Sequence, residues 1–225
     1  MTEVEGRYPA INPVFFIGAS AGGVKALTYL ASALPDDFPA PLFFLLHRRR
    51  KSNTKKELML KILQNASALR VVVPEEGDVV KSGVIYLPRE DMHIGIDDNR
   101  IMYSELPDDE EWRPSINYLF KSGAREYQNR AIAVLLTGKL NDGVEGLKET
   151  TYQGGITIAQ SPDDAYEPYL PLNALLNDHP AFVLPLKDMA KLFCELAQHP
   201  FTEDQKQVWQ DSALAANQIK QKLRE

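Results

Sequence analysis

Three side chains of this 225-residue sequence could combine into an acyl-transfer site: Ser20 in VFFIGASAGGVKAL, His47 directly after PLFFLL, and Asp142 in LTGKLNDG. A serine hydroxyl is a poor nucleophile until an imidazole takes its proton, and a carboxylate fixes the imidazole tautomer and stabilises the imidazolium. Gly18-Ala19-Ser20-Ala21-Gly22 has the G-x-S-x-G spacing of a nucleophile elbow, although the order Ser, His, Asp differs from the Ser, Asp, His order that usually accompanies it. Glycines beside the serine permit a tight strand-to-helix turn. That turn would expose Oγ and aim backbone N–H groups at a developing oxyanion.

Each residue also has a plainer reading. A Gly/Ala/Ser loop between strand and helix is how phosphate and dinucleotide sites begin, although G-x-G-x-x-G would want glycine where Ser20 stands. His47 could be a buried strand-end histidine, and Asp142, in Asn-Asp-Gly, a turn or helix-cap residue. What favours chemistry is the shared position of all three, just after apolar runs.

Those runs are VFFIG, PLFFLLH, LRVVVP, AIAVLLTG, GITIAQ and AFVLP. Apolar at nearly every position and separated by segments of helical spacing, they read as strands covered on both faces and joined by right-handed crossovers. The expected fold class is α/β, a doubly wound, mostly parallel sheet in an α/β/α sandwich. GVIYLPREDMHIGIDDNRIMYSE breaks the alternation with period-2 stretches about an Asp-Asp-Asn turn and reads as a β-hairpin extension projecting from the main sheet. Helices are expected over Gly22 to Ser32, Asn53 to Asn65, Ser115 to Gln128, Val144 to Gln153 and Lys187 to Gln198, with Ser115 as an N-cap. In such a sheet ligands gather outside the carboxyl ends of the strands, where Ser20, His47 and Asp142 all fall. Residues 1–12 read as an N-terminal extension, 13–200 as the catalytic domain, and 201–225 as a terminal helix or linker, with Val208, Trp209, Leu214, Ile219 and Leu223 at near-helical spacing.

Composition narrows the remaining classes. A formal net charge of −6 argues against general nucleic-acid binding, which needs surplus cations. The one cysteine, Cys194, allows no internal disulfide; it is expected to be buried and inert, in a reducing compartment. Neither a secretory leader nor a membrane-spanning run is present, so a cytoplasmic protein without membrane insertion is expected. His93, His179 and His199 are scattered and form no ligand cluster, so no metal and no cofactor is expected. The basic run Arg48 to Lys51 reads as a solvated loop, or as a patch steering an acidic partner toward His47.

Taken in order, IGASAGG, the strand-terminal His47, RPSINYLF, LLTGKLNDGVEGL and GGITIAQ resemble the catalytic domain of the chemotaxis receptor protein-glutamate methylesterases, from about Asn12 to about Leu196. The resemblance implies hydrolysis of glutamate γ-methyl esters on chemoreceptor cytoplasmic helices with release of methanol, some members also deamidating glutamine. It maps Ser20 to the nucleophile, His47 to the base and Asp142 to the orienting carboxylate, and puts the oxyanion near the Ala21 and Lys139 amides. Ala21 replaces the usual threonine, Lys139 a methionine, Arg48 to Lys51 a Met-Pro-Pro stretch, and Tyr169-Leu170-Pro171-Leu172-Asn173-Ala174 a Gly-Met-Pro-Arg-Glu-Ala stretch. These departures keep open a catalytically weak regulatory or binding module on the same scaffold. The expected partners are a methylated chemoreceptor or similar signalling protein, with control by a separate receiver or by fused chemosensory domains.

Overall fold

A computed structural model of the chain describes residues 13–47, 56–89, 91–105 and 114–198. The basic run and the two terminal segments lie outside the described residues. Seven parallel strands form one sheet in the order β3-β4-β2-β1-β7-β8-β9. They are β1 (Val14–Ala19), β2 (Leu42–Leu46), β3 (Arg70–Val72), β4 (Val84–Tyr86), β7 (Ala131–Leu135), β8 (Ile156–Gln160) and β9 (Phe182–Leu184). The doubly wound α/β expectation holds.

Alternation along buried strands divides the core. Phe15 and Ile17 of β1 join the cluster beneath α1 (Gly23–Ala33), α2 (Lys56–Ala66) and α6 (Leu186–Gln198), where the Phe15 ring meets Phe193 at 4.9 Å. Val14 and Phe16 point the other way, beneath α3 (Ile116–Tyr127), α4 (Val144–Tyr152) and α5 (Tyr169–Asn177), and the Phe16 ring stacks on Phe43 at 5.3 Å. A strand covered on both faces must be apolar at consecutive positions, which is why these runs were legible.

Winding starts from the centre. From β1 the chain goes through α1 to β2 on one side, while β7, on the other side of β1, continues through α4 to β8. The crevice at this reversal is where a doubly wound sheet binds ligands. Here it is bordered by the segments after β1, β2 and β7.

Two expectations need correction. GVIY does not belong to the hairpin, because Val84–Tyr86 pairs in parallel with β2 and β3 inside the main sheet. The hairpin proper is β5 (His93–Asp97) with β6 (Arg100–Ser104), a separate two-stranded sheet whose turn residues Asp98 and Asn99 both have positive φ, 48° and 55°. It braces α3: Ser122 Oγ accepts from the Ile96 amide at 3.2 Å, and Tyr127 Oη donates to Asn99 Oδ1 at 2.8 Å. The other correction is α5, which no periodic pattern announced. Pro171 lies in its first turn, where a missing N–H is tolerated.

Cys194 is half-buried against the first core rather than fully buried. Burial, with Asp37 and Glu195 nearby, pushes its thiol up, which fits the expected inertness.

Asp178, at the end of α5, is buried with one oxygen accepting from Thr151 Oγ at 2.8 Å. Its other oxygen meets no donor of good geometry among the described residues, although the Thr157 hydroxyl is near enough to moderate the effect of burial. Burial dominates and raises the folded pKa above 3.8. The protonated carboxyl therefore favours the fold below 3.8, and that contribution is lost as pH rises through the folded value. Asp178→Asn, which keeps the Thr151 contact, should match the wild type below pH 3.8 and be the more stable of the two at neutral pH in urea titrations. Equal stabilities at both pH values would refute this.

Candidate active site

Ser20 follows β1, half-buried, at the turn into α1. Its own amide donates to the Thr137 carbonyl at 3.0 Å, and its carbonyl accepts from Gly23 at 2.8 Å. Gly22 caps α1 with φ 81°, a left-handed backbone that glycine adopts without strain. The G-x-S-x-G spacing thus corresponds to a tight turn between strand and helix.

His47 lies directly after β2, and its amide donates to the Ala19 carbonyl at 2.8 Å, so the ladder between the two strands sets the register of histidine against serine. The ring is buried, with Nε2 at 3.6 Å from Asp142 Oδ2. Burial lowers the imidazole pKa, since charging a desolvated ring is costly, and the Asp142 carboxylate opposes that without reversing it. At neutral pH the ring is a neutral base.

Asp142 is held more firmly than a turn residue would be. Oδ2 accepts from the Ile116 amide at 2.7 Å, and Oδ1 accepts from the Asn117 amide and from Ser115 Oγ, both at 3.0 Å. The carboxylate thus covers the first turn of α3, where orphan N–H groups and the helix dipole both favour an anion. Ser115 is the N-cap as expected, accepting from the Tyr118 amide at 3.4 Å. In return, Asn117 Oδ1 accepts from the Gly143 and Gly146 amides at 3.0 and 2.8 Å and covers the start of α4. Ser115-Ile116-Asn117 and the LTGKLNDG loop are therefore two halves of one reciprocal cap. The plainer reading of Asp142 as a helix cap is correct, for a helix 26 residues earlier, and the same carboxylate approaches His47.

Several supporting residues escaped the sequence reading. Thr137 is buried, and Oγ1 donates to the Ala21 carbonyl at 2.9 Å while accepting from the Glu167 amide at 2.8 Å. With Ser20 bonded to its carbonyl, Thr137 clamps the serine turn on both sides. Gln160 Oε1 accepts from the Thr137 amide at 2.9 Å, and His93 Nδ1 accepts from the Ser115 amide at 3.1 Å. The signal available for Thr137 and Gln160 was their place at strand ends; for His93 there was none, because its partner is brought to it by the hairpin.

The Gly138 amide donates to the Glu167 carbonyl at 3.0 Å, whereas the Ala21 and Lys139 amides meet no acceptor among the described residues. Lys139 Nζ pairs with Glu167 Oε1 at 3.4 Å at a largely exposed position, so its charge is turned to a partner at the rim. No cluster of His, Cys, Asp and Glu suited to a metal occurs among the described residues.

A family model described as CheB methylesterase matches residues 15–193. The chain is 34% identical over 190 residues to a protein-glutamate methylesterase/protein-glutamine glutaminase of Burkholderia pseudomallei, covering 84% of this chain and 55% of that one. It is 35% identical over 181 residues to one from Pseudomonas savastanoi, covering 80% and 53%. The chain spans about half the length of these two relatives. A Leptospira interrogans protein whose provisional name states the same two activities is 30% identical, and the match covers 81% of this chain and 94% of that protein. Among solved structures, the crystal structure of the Thermotoga maritima CheB methylesterase catalytic domain superposes with a TM-score of 0.76 at 26% identity, covering 82% of this chain and 98% of that one.

Proposed function

Because the chain belongs to the CheB methylesterase family, we propose that it hydrolyses glutamate γ-methyl esters on the cytoplasmic helices of methylated chemoreceptors, releasing methanol, with Ser20, His47 and Asp142 as its triad. The observation that carries this reading is the 3.6 Å approach of the buried His47 ring to Asp142, at the strand end next to Ser20.

Ser20 Oγ attacks the ester carbonyl as His47 takes its proton, giving a tetrahedral intermediate. With Nε2 turned to Asp142 and protonated, Nδ1 carries the lone pair and is the basic atom. The Ala21 and Lys139 amides hold the oxyanion, a role that needs only N–H groups and so tolerates both departures from the family's side chains. The imidazolium protonates the departing methoxide, and methanol leaves a glutamyl-enzyme. Water, deprotonated by the same nitrogen, then releases the glutamate carboxylate and restores Ser20. Glutamine deamidation follows the same path with ammonia as the leaving group.

The direct test is methanol release from a methylated receptor fragment, together with mass spectrometry of the protein after a fluorophosphonate. Release plus a single adduct on Ser20 supports the assignment; an adduct elsewhere, or none, removes it. The pH dependence is a sharper check. The neutral ring is the active form, so kcat/KM should rise with pH through an apparent pKa below the ordinary 6.5 and be flat at neutral pH. A limb at or above 6.5 would contradict the dominance of burial over the Asp142 charge.

A further inference from the structure

Beside this site lies an apolar face that no other element covers among the described residues. Tyr169, Leu172 and Leu176 are exposed at i, i+3 and i+7 of α5, while Leu170, Pro171 and Ala174 are buried beneath them. The helix, YLPLNALLN, carries no charged side chain. Asn173 Nδ2 donates to the Leu140 carbonyl at 2.7 Å and ties the loop after β7 to the same face.

Leu140 is doubly unfavourable where it stands. Its φ of 68° is left-handed, and its side chain is 56% exposed. Glycine would make this turn with neither cost, so the leucine side chain is what needs explaining. The face reaches the nucleophile: Tyr166 packs over Gly22, two residues from Ser20, yet is 78% exposed, and Gly138 is wedged between Ser20 and Leu170.

We propose that Leu140, Tyr166 and the Tyr169, Leu172 and Leu176 ridge form one docking surface, and that its occupant is the amphipathic helix that presents its methyl ester to Ser20. This rests on the esterase reading above and specifies how the protein substrate is held. Continuity with the site names the occupant, since a side chain entering at Ser20 brings its own helix across this rim. The shape argues for a helix: the ridge spans about two turns, and helical ridges pack into the grooves of a second helix. An extended segment would need a free sheet edge, but the edges are β3 and β9, while Ser20 follows the central β1. At the rim, Lys139 and Glu167 pair with each other at 3.4 Å.

The test uses Leu176→Arg and Leu140→Gly in the full chain. Methanol release from a methylated receptor fragment is compared with hydrolysis of p-nitrophenyl acetate. On a Ser20→Ala background, anisotropy reports the affinity of a fluorescein-labelled amphipathic helical peptide carrying one glutamate γ-methyl ester. Leu176→Arg should lower the protein-to-small-ester ratio of kcat/KM about tenfold and raise the peptide Kd to match. Leu140→Gly should weaken the peptide several-fold while raising Tm, a combination that mere damage to the fold would not give. Unchanged ratio and Kd in both variants would overturn the proposal. So would a wild-type dimer that Leu176→Arg dissociates without altering the peptide Kd, or tighter peptide binding after deletion of residues 201–225, which would assign the face to a second copy or to that segment. A wild type that releases no methanol removes the esterase reading alone, because the peptide affinities still decide the docking.

Discussion

Ser20→Ala should reduce methanol release by about four orders of magnitude or more while leaving Tm nearly unchanged. Removing the nucleophile forfeits the covalent path and leaves only substrate binding and the oxyanion amides, and in serine hydrolases such loss is nearly as severe as losing the whole triad. The fold has little stake in Oγ. The turn at Ser20 is held by backbone, through its amide on Thr137 and its carbonyl on Gly23, and by Thr137 Oγ1 on Ala21. Turnover within tenfold of wild type would exclude Ser20 as nucleophile.

Asp142→Asn should cost both activity and stability, and the pairing of the two losses is the informative result. Asparagine keeps one oxygen and replaces the other with an NH2 group. Whichever way the amide turns, that group faces a donor: the Ile116 amide at the Oδ2 position, or the Asn117 amide and Ser115 hydroxyl at the Oδ1 position. A buried donor left unpaired and the loss of an anion at the start of α3 together cost about 3 kcal/mol, measurable by urea unfolding. Activity should fall roughly 10²- to 10⁴-fold, because His47 loses the group that orients it and stabilises its cation. The acid limb of kcat/KM should also move further down, since Asp142 is what raises the imidazole pKa against burial. Loss of activity with unchanged stability would mean that the capping bonds to α3 are not held in solution.

Much of this is legible in the order of residues alone. Strands buried on both faces, such as Val14–Ala19 and Ala131–Leu135, must be apolar at nearly every position, and their alternation with helices implies a parallel sheet. Ser20, His47 and the LTGKLNDG loop were found by one rule, that strand carboxyl ends face the ligand crevice. Where local pattern carried no such rule, reading fell short. By pattern Val84–Tyr86 reads as part of the hairpin, because a three-residue strand has too little pattern to declare its partner. α5 went unannounced because Pro171 resembles a break unless its place in the first turn is known.

The order of apolar runs and breaks therefore settled the fold class and the edge of the sheet on which chemistry could occur, since period and composition are local properties that follow from burial on each face. Tertiary structure alone decided that Asp142 caps a helix begun 26 residues earlier while approaching His47, that Asn117 returns the cap, and that Thr137 clamps the serine turn. Each of these is a bond between segments remote in the chain. Their partners are chosen by how α3, α4 and the hairpin pack, and packing leaves no periodic trace in the residues that it joins.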